Sequence, residues 1–117
     1  MEHNDGLIQH VQGIVDRIID DIKKKASPEF REILETIPIR VLWESPEKDR
    51  FGDFFGVPLD ESDGSVAPDI ILYAAPLLEY SHHKQDELQA IVKKTLMHEV
   101  GHYLGLDHAE LKERGLD

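Results

Sequence analysis

Cysteine is absent from this chain of 117 residues. No disulfide framework is available, and a transition-metal site would have to use His, Asp or Glu. Positive charge is scarce as well. Thirteen Lys and Arg stand against 24 Asp and Glu, a net charge of −11, which repels nucleic acid and anionic membrane surfaces. The one dense basic run, Lys23-Lys24-Lys25, falls at the end of a predicted helix, where it complements the helix dipole. No apolar run approaches the roughly 20 residues that span a bilayer. The start, MEHNDGLIQHV, is acidic where a signal peptide would be basic and then apolar. These absences lead us to expect a cytoplasmic protein without nucleic-acid or membrane partners. Repeats, low-complexity segments and a dividing linker are also missing, so residues 1–117 are expected to form one domain.

Hydrophobic residues make up 40% of the chain, enough for a core. Their spacing predicts the elements. Leu7, Val11, Ile14, Val15, Ile18 and Ile22 form one apolar stripe of a helix over residues 5–26, with Asn4 or Asp5 as its cap. Ser27-Pro28 reads as a cap and first helical position, starting a short helix to about Thr36 with Phe30, Ile33 and Leu34 inward. Pro38 stops it. Ile39, Val41 and Trp43 then alternate with Arg40, Leu42 and Glu44, a half-buried strand. Phe54, Phe55 and Val57 suggest a short strand in a turn-rich region, and Asp60, Glu61, Asp63 and Gly64 a solvated acidic turn. Asp69–Tyr73 is a second clear strand, which Pro76 ends or marks as a sheet edge. His82 and His83 fall in a polar connection. Asp86, with Gln89 three residues on, resembles the cap of a helix that runs to about Leu104. Leu88, Val92, Leu96 and Tyr103 share one face of it, and Gly105 supplies its stop.

The second half of that helix carries the chemistry, in the stretch HEVGHYLGLDH. His98 and His102 are four residues apart, about 6 Å along a helix axis, and leave the same face. Two imidazoles so placed can converge on one metal ion. A catalytic metal wants three protein ligands and an open position. Gly105 can turn the chain back without steric cost, which would let His108 supply the third. Glu99, beside the pair, is a candidate general base for a metal-bound water.

This pattern, H-E-x-x-H-x-x-G-x-x-H, resembles the extended zinc motif of the metzincin clan of metallopeptidases. That clan carries a methionine turn downstream, whereas methionine occurs here only at positions 1 and 97. The chain is more closely similar to a family of small bacterial zincin-like proteins described as zinc metallopeptidases. The likeness extends to FFGVPLDESDGSVAPDIILYAAPLLEY, to the helix leading into HEVGH, and to the closing ELKERG, roughly residues 50–115. The third ligand of that family is often Asp, which makes Asp107 an alternative to His108 or a supporting partner. The resemblance implies an α+β fold, a minimal zincin-like one, with a small mixed sheet packed on an N-terminal helix and the active-site helix. It also implies one Zn²⁺ per chain on His98, His102 and His108, with Glu99 catalytic.

The expected reaction is peptide-bond hydrolysis of a peptide or protein substrate. The substrate is expected to lie extended along the edge of the strand around Ile70–Tyr73. Tyr73, Tyr80 and Tyr103 are the phenols available as oxyanion donors; Tyr103 reads as core packing, and the other two stay open. Two rivals remain. A small bacterial endoribonuclease family shares the three-histidine spacing, with Gly in place of Glu99. Alternatively, the metal site belongs to a non-catalytic binding module. So short a chain has only a shallow cleft, which a second copy or a protein partner could complete.

Overall fold

The structure, a computed structural model, describes residues 4–114. Helix α1 (Asp5–Lys25) is followed by α2 (Pro28–Thr36), strands β1 (Ile39–Leu42), β2 (Gly52–Phe55) and β3 (Asp69–Tyr73), then helices α3 (Ala74–Ser81), α4 (Gln85–Leu104) and α5 (His108–Glu113). A 3-10 turn, Leu59–Glu61, lies between β2 and β3. The architecture is α+β, as the resemblance implies.

The expected stripe of α1 holds at its centre. Val11, Ile14, Val15 and Ile22 are buried, and Ile19 joins them, while Leu7 and Ile18 are only half-buried. Neither expected cap of α1 operates through its side chain: Asn4 is the N-cap residue but makes no side-chain cap bond. In α2 the cap is the expected one, Ser27 accepting from the Phe30 N–H at 3.3 Å, with Pro28 in the first turn.

The three strands form one mixed sheet in the order β1-β3-β2. β1 runs parallel to β3, Ile39 opposite Ile70, and β2 runs antiparallel to it, Gly52 opposite Leu72. Strand β3 is therefore central. Both of its edges are hydrogen-bonded, so a substrate cannot add to it as expected. Pro76 marks no edge either. It lies in the first turn of α3, where the missing N–H would have no helical partner in any case. Val57 falls outside β2.

Helix α3 fills the stretch between β3 and the polar connection read at His82 and His83. Its end is irregular: His82 and His83 both have positive φ, 53° and 59°. Asp86 does not cap α4; Lys84 is the N-cap residue, and the helix starts at Gln85. Ile70 and Leu72 of β3, Val11, Ile14 and Val15 of α1, and Leu88, Val92, Leu96 and Val100 of α4 make the centre of one core. Helix α4 packs against α1, α3, β2 and β3. Most of that packed surface is apolar, but Thr95 and Glu99 are buried in it as well.

Candidate metal centre

Thr95, His98, Glu99 and His102 occupy positions i, i+3, i+4 and i+7 of α4, one stripe of the helix. The histidines converge as their spacing predicts. Their Nε2 atoms are 3.0 Å apart, and their rings lie 4.4 Å apart, tilted by 59°. Both rings are exposed. Burial is the larger reason that His98 titrates below the ordinary histidine range, and the neighbouring His102 the second. A neutral imidazole is the form that ligates a metal.

Glu99 is 6% exposed. On the helix it faces His102, whose Nδ1 is 4.0 Å from Oε1. That is beyond hydrogen-bond range. Among the described residues no fully sealed side-chain polar atom lacks a partner, so the carboxylate oxygens keep some contact with solvent. Burial raises the Glu99 carboxyl above the usual range; Asp53 adds to the rise, while His102 and Arg50 oppose it.

Strand β2 roofs this carboxylate closely. A Cβ built on Gly52 would lie 2.9 Å from Thr95 Cγ2, 3.1 Å from the Ile71 carbonyl oxygen and 3.5 Å from Glu99 Cγ. Only a glycine lets the strand come so near. The next residue, Asp53, accepts a 2.7 Å hydrogen bond from the Tyr73 hydroxyl and faces the Arg50 guanidinium at 3.4 Å. Burial, then the Asp53 hydrogen bond, push the Tyr73 phenol up to about 12. Tyr73 is thus occupied as a donor to Asp53. Tyr80 is exposed and meets Phe51 edge-on with ring centroids 5.3 Å apart. Tyr103 packs on Phe54, as core.

The far end of the site is built by two glycines. Gly105 takes the left-handed conformation at φ 70°. Its N–H donates to the His102 carbonyl, and that of Leu106 donates to the Gly101 carbonyl at 2.9 Å, the Schellman closure of a helix. Gly101 gives the returning chain room: a Cβ there would lie 2.9 Å from Leu106 O and 3.0 Å from Leu111 Cδ1. Asp107 then caps α5. Its Oδ1 accepts from the Glu110 N–H at 2.8 Å, and the Glu110 side chain accepts from the Asp107 N–H at 3.1 Å. Asp107 is thereby committed to a capping box. His108 follows as the first residue of α5 and is exposed. Among the described residues no third His, Asp or Glu side chain joins His98 and His102 in one group. Two of the three expected ligands are therefore brought together, with Glu99 beside them. His82 and His83 are exposed at the left-handed end of α3.

Sequence reasoning overlooked Thr95, Gly52 and the Asp53–Tyr73 pair. Extending the His98–Glu99 stripe back by one turn would have found Thr95. Nothing local in the sequence ties Asp53 to Tyr73, because that contact depends on the pairing of β2 with β3.

The residues present suit a zinc ion in two respects. The imidazole donors are of the type zinc prefers, and their Nε2 atoms already point at one another. No curated protein matches the chain. A family model described as zincin-like metallopeptidase matches residues 34–116, which include β1, the whole of β2 and β3, and the α4 motif. The helix that carries the histidine pair and the mixed sheet over it thus lie within one matched region, and the chain belongs to the zincin-like metallopeptidase family.

Proposed function

We propose that the chain is a zinc-dependent peptidase in which His98, His102 and His108 hold the metal and Glu99 moves the proton. The observation that carries this reading is Glu99 itself: a carboxylate only 6% exposed, on the same helical stripe as a converged imidazole pair. A purely structural metal site has no use for such a group. When bound, zinc supplies Lewis-acid polarisation of a carbonyl and acidifies a water toward neutrality.

The protein's own part follows from Glu99. As water attacks the peptide carbonyl, the carboxylate accepts its proton and then hands it to the departing amine nitrogen. The C–N bond breaks, leaving one carboxylate and one amine. A carboxyl raised by burial exchanges protons nearer to neutral pH, which suits both halves of this task. Burial, and then His102, bias His98 toward the neutral form that a metal ligand needs. The substrate lies along β2 rather than β3. β2 is the edge strand of the sheet, it passes directly over Glu99, and its outer edge is unpaired within the sheet.

Zinc loading followed by dialysis and elemental analysis should leave about one zinc per chain. The double variant His98→Ala/His102→Ala should lose it. Glu99→Gln should keep the zinc and lose roughly 10²-fold or more of peptide hydrolysis. A nuclease that does not use this carboxylate would keep its activity in Glu99→Gln. A wild-type chain that holds zinc but cleaves no peptide would point to the binding-module reading.

A further inference from the structure

His108 stands apart from the other two residues assigned to the metal. His98 and His102 are fixed by the long helix α4, whereas His108 is the first residue of α5, a helix of six residues. A helix of that length does not hold itself together, because ordering its first turn costs more than its few hydrogen bonds return. Its order depends on two local devices. The first is Leu111, the one buried residue of α5. It occupies the space that Gly101 leaves open, since a Cβ on Gly101 would lie 3.0 Å from Leu111 Cδ1. The second is the capping box. Asp107 Oδ1 accepts from the Glu110 N–H at 2.8 Å, and Glu110 Oε1 accepts from the Asp107 N–H at 3.1 Å. The Leu111 N–H adds a bond to the Asp107 carbonyl at 3.0 Å. The backbone on both sides of His108 is thus tied down. The His108 ring is exposed, and none of these bonds uses it.

A ligand on a disordered segment must be ordered when the metal binds, and that entropy weakens affinity. A capped turn removes most of this cost beforehand. We propose that Asp107 and Glu110 are positioning residues for the metal: their reciprocal cap orders the segment that carries His108, and neither is itself a ligand. This rests on the reading above in which His108 is the third ligand. Of the two roles that the sequence leaves open for Asp107, ligand or support, it takes support.

The test is the zinc affinity of the full-length chain, measured by competition with a chromogenic chelator. Asp107→Ala and Glu110→Ala each break the box, and each should weaken zinc binding about three- to tenfold, the effect of one lost cap. Asp107→Ser and Glu110→Gln keep the box and should stay within about twofold of wild type, because serine caps as aspartate does and glutamine closes the box as glutamate does. Ser27→Ala removes the cap of α2, a helix that packs on α1. It should lower Tm and leave zinc affinity unchanged, which separates the ordering of His108 from a general loss of stability. His108→Ala should weaken zinc binding more than either box variant, and adding Glu110→Ala to it should change nothing further, since the box then has no ligand to position. Should Asp107→Ala fail to fold, the two Glu110 variants carry the test. Wild-type zinc affinity in Asp107→Ala or Glu110→Ala overturns the proposal. Equal losses in Asp107→Ser and Asp107→Ala overturn it too, by making Asp107 a ligand, as does a matching loss in Ser27→Ala. A wild-type chain that binds no zinc, or unchanged affinity in His108→Ala, overturns instead the metal reading on which the proposal rests.

Discussion

Burial raises the Glu99 carboxyl, so the native chain holds that proton to higher pH than the unfolded chain does. The associated stability is complete below the unfolded value and is lost as pH rises through the folded one. In metal-free protein Glu99→Gln should therefore be more stable than wild type at pH 7, by roughly 1–3 kcal/mol, the cost of a poorly paired buried charge. The difference should shrink as pH falls through the raised folded value and be gone below about 4.3. Urea unfolding at pH 4 and pH 7 measures this, and a variant less stable than wild type at pH 7 would sink the account of Glu99. His98 works in the opposite direction. Its value is depressed, chiefly by burial and secondarily by His102, so its contribution is present above pH about 6.5 and is lost as pH falls.

The end of helix α4 and the turn after α3 show how elements constrain the site. On helix propensity alone, Gly101→Ala should stabilise α4 by about 1 kcal/mol. The structure reverses that sign, because a Cβ there would lie 2.9 Å from backbone and 3.0 Å from Leu111. Gly101→Ala should destabilise by about 1–3 kcal/mol and move α5, with His108 on it. Gly105→Ala should cost about 1–2 kcal/mol through the left-handed conformation, and the added Cβ would also lie 3.3 Å from Asp60 Oδ1. Chemical denaturation of both variants, with zinc titration, checks the pair; the larger loss of zinc affinity should fall on Gly101→Ala. The α3–α4 turn carries the reverse opportunity. His82 holds φ 53° with a full side chain, so His82→Gly should relieve about 1 kcal/mol, seen as a Tm higher by a few degrees.

At the scale of the whole molecule, charge is the least balanced quantity. Twenty-four acidic residues face 13 basic ones, and the Lys and Arg ion pairs among the described residues are Arg40–Asp69, Arg50–Glu47 and Arg50–Asp53. Most carboxylates therefore repel one another through solvent. Raising ionic strength from about 0.01 to 0.15 M shortens the Debye length from about 30 to 8 Å and should raise Tm; an unchanged or lower Tm would show that the three pairs outweigh the repulsion. No helix among the described residues is long and apolar enough to cross a membrane.

Much of this protein was determined by sequence alone, for local reasons. The 3.6-residue repeat set α1 and α4, the Ser27-Pro28 signal set the start of α2, alternation set β1, and a short apolar run set the central strand β3. His98 and His102 had to converge, because four residues of helix bring two side chains to one face. Gly105 had to end that helix, because only glycine takes the left-handed turn freely. What only the tertiary structure decided was non-local. The strand Asp69–Tyr73 became the centre of the sheet rather than its edge, since strand order depends on pairing across tens of residues. That pairing put Gly52 over Thr95 and Glu99, joined Asp53 to Tyr73, and so buried the carboxylate. The place of His108 is likewise tertiary, because it follows from how α5 folds back on Gly101 rather than from any periodicity in the chain.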